Sequence, residues 1–332
     1  MNKITTYGGV LQKENDVLFD FSNSGVEFET QENITFTIDC IESDILQKKH
    51  ADSRKYILVY IYINNECNQK LRITKTSSIA EKTLSFSAHQ RVKISKVSEA
   101  YMGVVCLQNL LQLPIQSVEK EEKIKVEFIG ASIVSGYGND GYGNSIMETD
   151  WKKTWCSYLC ERFNWEAMVH SYSCMGLVRD SYDDTNEQIG ERRRRILGCD
   201  KSTVFDFNTF QASYVIINIG SNDFGDIVDE PFKTLWLQKI KELIVELFGN
   251  YGENVKIILV HGPLMPEPVR DVVKSVPELF NEQMERKKQI YTVPTYLKND
   301  SFWGIHYHPN GLGHKMMSDE MIPYFEQIIN SI

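Results

Sequence analysis

The hydrophobic period changes once along this chain, and that change limits what it can fold into. Through residue 118, apolar side chains recur at every second position. Ile34, Phe36, Ile38 and Cys40 alternate with polar residues, and Tyr56 to Ile63 is a β-branched and aromatic run closed by the turn pair Asn64-Asn65. Leu71-Ile73, Leu84-Phe86, Val92-Ile94 and Met102-Val104-Cys106 continue the pattern. Short strands at this spacing predict a β-sandwich or jelly roll. Pro114 and the charged stretch Glu119 to Lys123 end the pattern and mark a linker. Beyond it, apolar runs at Ile124–Ile129, Val169–Tyr172, Tyr214–Ile219, Val255–Val260 and Ile290–Val293 alternate with segments of helical spacing. Trp151, Trp155, Tyr158 and Leu159 form one such segment. Asp229-Glu230-Pro231 opens another, with a stripe of Phe232, Leu235, Ile240, Leu243 and Leu247. Met317, Met321 and Phe325 belong to a final helix. Alternating strands and helices predict a parallel sheet flanked by helices. The expected fold class is therefore α/β, with a β-sandwich over residues 1–118 and a parallel-sheet domain over residues 123–332.

A length of 332 residues suits two such domains. The formal charge is 36 − 45 = −9, which disfavours nucleic acid and anionic membranes as partners. Arg192-Arg193-Arg194-Arg195 is the exception, but Asp183, Asp184, Glu187 and Glu191 precede it, so a solvated, ion-paired helix face is expected. The seven cysteines are odd in number and contain no C-x-x-C, which suits reduced thiols rather than a disulfide framework or zinc site. The first six residues open no apolar leader, and no apolar run approaches the ~20 residues of a membrane span. A cytoplasmic protein without a cofactor is the expectation.

Ligands of parallel sheets bind at the carboxyl ends of strands, so motifs placed there matter most. Four are present. Phe128-Ile129-Gly130-Ala131-Ser132 with Ile133-Val134-Ser135-Gly136 follows a strand and can hold a serine on a tight turn; alone, it is equally an ordinary strand-to-loop turn. In Ser173-Cys174-Met175-Gly176, the glycine lets a backbone N–H face a ligand. Asn222, in Ile219-Gly220-Ser221-Asn222-Asp223, is either a side-chain donor to a developing oxyanion or an Asx turn. His308-Pro309-Asn310-Gly311-Leu312-Gly313-His314 supplies a base. Nucleophile, two oxyanion donors and base, each following a strand in that order, form a specific set.

These blocks resemble those of the SGNH (GDSL) hydrolase superfamily, whose Ser, Gly, Asn and His fall on Ser132, Gly176, Asn222 and His308. A jelly roll ahead of a flavodoxin-like hydrolase domain is most similar to carbohydrate esterase family 2, acetyl esterases acting on polysaccharides such as xylan and glucomannan. Arg91 to Lys96 with Glu99-Ala100, and Phe205-Asp206-Phe207, add to the likeness. The resemblance implies an acetylated carbohydrate substrate and an acyl-enzyme on Ser132. Two positions depart from the superfamily. Ala131 stands where an aspartate orders the serine loop, and Ile305 stands where an aspartate usually supports the histidine. Some members of the sugar-esterase family hold the imidazole by a backbone carbonyl instead. Three functions stay open: carbohydrate deacetylase, another SGNH hydrolase of small esters or lipids, and a weakly catalytic carbohydrate-binding protein.

Trp303 is a candidate sugar-stacking residue, with Tyr137 and Trp151 weaker ones of the same kind; core packing is the alternative for each. His306 is a loop spacer, a substrate contact, or a metal ligand with His308 and His314. No nearby carboxylate or cysteine completes a metal set, so none is expected. Asp140 and Asp226 follow motif loops and read as surface turns.

Overall fold

The computed structural model describes residues 3–41, 56–140, 149–225, 228–283 and 289–331. Two antiparallel sheets form the first part. One orders strands Thr5–Tyr7, Gly25–Thr30, Arg91–Lys96, Tyr56–Ile63 and Glu66–Thr74, with Ile115–Gln116 also paired to Gly25–Thr30. The other orders Leu11–Lys13, Asp16–Phe19, Val104–Gln108, Ile34–Ile41 and Thr83–Phe86. Strand Ile34–Ile41 buries Ile34, Phe36, Ile38 and Cys40 and turns the residues between them outward, the period of a half-covered strand. Both sheets contribute to one core, in which Phe19, Phe36, Ile38 and Val105 meet Phe28, Val59 and Ile94.

Tyr56–Ile63 does not alternate, because it is covered on both faces. Ile57, Val59 and Ile61 enter the core between the sheets, while Tyr56, Leu58 and Tyr60 enter the core of the second part. Phe21, Val97, Tyr101 and Met102 join the same second core, so the β half docks by an apolar face. An unbroken apolar run is the sequence mark of a doubly covered strand.

The second part is a five-stranded parallel sheet of Ile124–Gly130, Trp165–Ser171, Tyr214–Asn218, Lys256–His261 and Ile290–Pro294. Counted along the chain, its order is 2-1-3-4-5, that of flavodoxin-like doubly wound sheets. Right-handed crossovers then place helix Trp155–Phe163 on one face and helices Glu230–Tyr251 and Glu267–Gln283 on the other. The last helix, Gly311–Asn330, packs against Trp155–Phe163. The order reverses at Ile124–Gly130, and Ser132 follows that strand by two residues.

Three details depart from the sequence reading. Trp151 lies in a separate 3₁₀ turn, and the helix begins at Trp155. Leu235 is exposed, and Trp236 and Ile244 fill the buried stripe instead. The arginine run is paired but not solvated, since Arg192, Arg193 and Arg195 are buried and only Arg194 faces water. Arg192 and Arg195 pair with the nearby Glu187, while Arg193 and Arg194 reach distant elements, Glu127 on the first parallel strand and Glu246 on a helix.

Candidate active site

Strands Trp165–Ser171, Ile124–Gly130 and Tyr214–Asn218 are neighbours in register, with Gly130 level with Ser171 on one side and Asn218 on the other. Chain segments leaving their carboxyl ends therefore leave side by side. Ser132 opens the short helix Ser132–Ser135, which Gly136 ends in a left-handed conformation at φ 82°. The Ser132 side chain is nearly buried, at 9% exposure. After the neighbouring strand, Asn222 Nδ2 donates to the Met175 carbonyl at 2.9 Å, joining the third motif to the second. That bond uses one amide hydrogen and leaves the other. The backbone N–H groups of Ser132 and Gly176 have no partner among the described residues.

Asp223 holds the Gly176 loop in place. Its buried carboxylate accepts the N–H groups of Leu177 at 2.8 Å, Val178 at 2.7 Å and Arg179 at 3.4 Å. The approach is so close that a Cβ on Gly176 would lie 2.5 Å from Asp223 Oδ1 and 2.1 Å from the Arg179 carbonyl. Only glycine fits there. The sequence reading passed over Asp223, although an acid beside Asn222 at the end of an apolar strand was the available signal.

The C-terminal motif folds back as a closed loop. Gly304 N–H donates to the His308 carbonyl at 2.7 Å, and Asn310 N–H to Phe302 at 2.9 Å. Asn310 caps the last helix through Gly313 N–H at 2.9 Å and ties the loop with its amide on the Ser301 carbonyl at 2.8 Å. Gly313 passes so near the Phe302 carbonyl that a Cβ would lie 2.3 Å from it. His314 is buried in the first turn of that helix and accepts the Trp155 N–H at 3.4 Å. The loop presents His308 to the serine, with Nε2 2.7 Å from Ser132 Oγ. On the far side of the ring, Nδ1 lies 3.0 Å from the His306 carbonyl. His306 and Tyr307 are both left-handed, at φ 49° and 58°, which turns that carbonyl back toward the ring. Two such non-glycine residues cost about 1–3 kcal/mol each. With Nδ1–H donating to the carbonyl, Nε2 is left as the acceptor of the serine proton.

No protein-family model matches the sequence. The chain is 26% identical over 204 residues to the cellulase/esterase CelE of Acetivibrio thermocellus, which is 59% of this chain and 25% of that protein. It is 21% identical over 227 residues to an acetylxylan esterase / glucomannan deacetylase of Cellvibrio japonicus, 62% of this chain and 60% of that one. It thus spans a quarter and three-fifths of the curated relatives it matches. A family two carbohydrate esterase from Clostridium thermocellum, solved in complex with cellohexaose, superposes with a TM-score of 0.80, covering 99% of this chain and 100% of that one at 21% identity. The chain has the fold of the family two carbohydrate esterases.

Within this esterase fold, the other residues singled out in the sequence divide clearly. Tyr137 is largely buried beside the histidines, its ring centroid 4.8 Å from that of His308 and its hydroxyl 3.1 Å from His306 Nδ1. The exposed His306 therefore braces Tyr137 with its ring while its carbonyl holds His308. Trp303 is half-buried between two clefts of about 560 and 550 Å³, one shared with Tyr296 and Tyr307, the other with Asp140 and Asn310. Asp140 pairs with Lys153. Trp151 is core, at 1% exposure. Asp226 lies outside the described residues. Among the described residues no cluster of His, Cys, Asp and Glu is arranged to hold a metal.

Burial pushes the His308 pKa down to about 4, against the His306 carbonyl, which favours the charged ring. The base is then neutral, and able to take a proton, well below the ~6.5 of free imidazole. The expected limb of kcat/KM that falls tenfold per pH unit therefore lies near pH 4. A pH–rate profile on a short acyl ester checks this; a unit-slope limb centred near 6.5 would contradict it.

Proposed function

We propose that the protein is a carbohydrate acetyl esterase, a serine hydrolase that removes O-acetyl groups through an acyl-enzyme. The observation that carries the reading is the Ser132–His308 contact of 2.7 Å, with the imidazole held from behind by the His306 carbonyl. In the first step Ser132 Oγ attacks the ester carbonyl as its proton passes to His308 Nε2. The oxyanion is met by the N–H groups of Ser132 and Gly176 and by the free amide hydrogen of Asn222. Loss of one such donor costs about 10²–10³ in turnover. His308 then returns the proton to the departing sugar hydroxyl. Water, deprotonated by His308, attacks the acyl-enzyme and releases acetate and Ser132.

The choice of a sugar ester is supported by the names of the curated relatives, an esterase and a glucomannan deacetylase, and by the cellohexaose bound to the similar structure. Trp303 and Tyr307, exposed to different degrees around one cleft, offer flat faces for a pyranose ring. The β half is read as a jelly roll, with the boundary at residues 118–123. Acetate release across a set of acetylated oligosaccharides, with Asn222→Ala beside wild type, tests the proposal. A sharp preference for acetyl over butyryl esters and a fall of about 10²–10³ in the variant are expected. Equal rates on long and short acyl chains would point instead to a general acyl hydrolase.

A further inference from the structure

We propose that Glu99, delivered by the β half, is the positioning carboxylate that holds the serine turn and the Gly176 loop in their working arrangement. The inference rests on the hydrolase reading above. Glu99 follows the strand Arg91–Lys96 and precedes the turn Ala100–Met102, which it does not cap. Its carboxylate is instead turned into the parallel-sheet half and wholly buried. One oxygen accepts the hydroxyl of Ser173, the residue that opens the Gly176 loop. The other accepts Thr149 Oγ1 at 3.5 Å. Thr149 Oγ1 in turn accepts the Gly138 N–H at 3.3 Å, in the turn that leaves Ser132. One carboxylate thus holds the Gly176 segment directly and the turn leaving Ser132 through Thr149. Ala131, beside the nucleophile, has no polar side chain with which to order that turn, so the support arrives from the other half of the chain.

The contact is costly enough to need a reason. Burying a carboxylate away from water is unfavourable unless hydrogen bonds and charge repay it. Lys96 is the nearby cation, but its Nζ donates to the carbonyls of Asp20, Ser98 and Glu99 rather than to the carboxylate. Tyr101 and Tyr137 lie within reach of its charge. Burial raises the Glu99 pKa to about 7, against the Ser173 bonds and Lys96, which lower it. Ionised, the carboxylate only accepts, as its two hydroxyl partners require; protonated, it loses that acceptor geometry on one oxygen. Activity should accordingly show a partial step, rising with pH near 7, above the separate limb that belongs to His308.

The test compares wild type, Glu99→Gln and Ser173→Ala in the full chain, using 4-nitrophenyl acetate. In Glu99→Gln, kcat should fall about 10–10²-fold with KM nearly unchanged, because misplaced oxyanion donors are felt in the transition state. The step near pH 7 should vanish and the limb near 4 should remain. Ser173→Ala removes a single hydroxyl and should lower kcat in the same direction, which keeps the test open if the Gln variant does not fold. Wild-type kcat and an intact step in the folded variants would overturn the role of Glu99 while leaving the esterase reading in place. Absence of hydrolysis by the wild-type protein would instead sink the esterase reading, and Glu99's role with it.

Discussion

Ser132→Ala lowers turnover of an acetyl ester by about 10⁴-fold or more while leaving the fold intact. The magnitude follows from what the hydroxyl does: without Oγ there is no acyl-enzyme, and water must attack directly using only the oxyanion donors. The fold is spared because, among the described residues, the hydroxyl bonds His308 alone, on a loop. His308→Ala should cost about as much, and the double variant little more than either single one, since serine and imidazole act as one unit. Steady-state rates with circular dichroism check all three. Turnover near wild type in Ser132→Ala would end the proposed mechanism.

Arg193→Ala destabilises the protein by about 3–5 kcal/mol, far more than the neighbouring Arg194→Ala. Arg193 and Glu127 are both fully buried, with Nε 2.7 Å from Oε1 and Nη2 2.9 Å from Oε2. His170 and the Tyr251 hydroxyl bond the same carboxylate at 2.6 and 2.8 Å. Burial alone would raise the Glu127 pKa, but Arg193 and His170 outweigh it and hold it at about 2. In wild type this depressed value stabilises the fold above the usual ~4.3 of a glutamate, and the stabilisation is lost as pH falls toward 2. Without Arg193 the largest opposing charge is gone and only His170 and the Tyr251 hydroxyl work against desolvation, so the Glu127 pKa rises and the variant loses less stability than wild type as pH falls. The gap between the two proteins, read by urea unfolding, should narrow on acidification; a gap that widens would refute this account. Arg194, with a side chain 58% exposed, should change stability by no more than about 1 kcal/mol.

Much of this was legible in the sequence because short-range pattern governs it. Strand periods and the helix start at Asp229-Glu230-Pro231 are local, and they reappear as elements. Ser132, Gly176, Asn222 and His308 could be named because each follows a strand, and neighbouring parallel strands bring such ends together. What escaped depends on contacts far apart in the chain. Glu127 sits in an apolar strand and Arg193 in a basic run. Their pairing spans 66 positions, and no local rule joins them. The support for His308 escaped a residue-by-residue reading for another reason: it is a carbonyl aimed by two left-handed residues, and side-chain identity does not encode it. Trp151 falls outside the helix because Trp155 begins a fresh one, and in Glu230–Tyr251 Trp236 takes the buried stripe while Leu235 faces water.

The strand Tyr56–Ile63 has one further consequence. Because its alternate side chains serve two interiors at once, neither interior can be completed by its own half of the polypeptide. Severing the connection at residues 117–123 would expose Tyr56, Leu58 and Tyr60 on one fragment and strip packing from the parallel sheet of the other. The front half is therefore not an interchangeable appendage fused to an enzyme, and a transplanted replacement would have to reproduce this strand's outer face to be accepted.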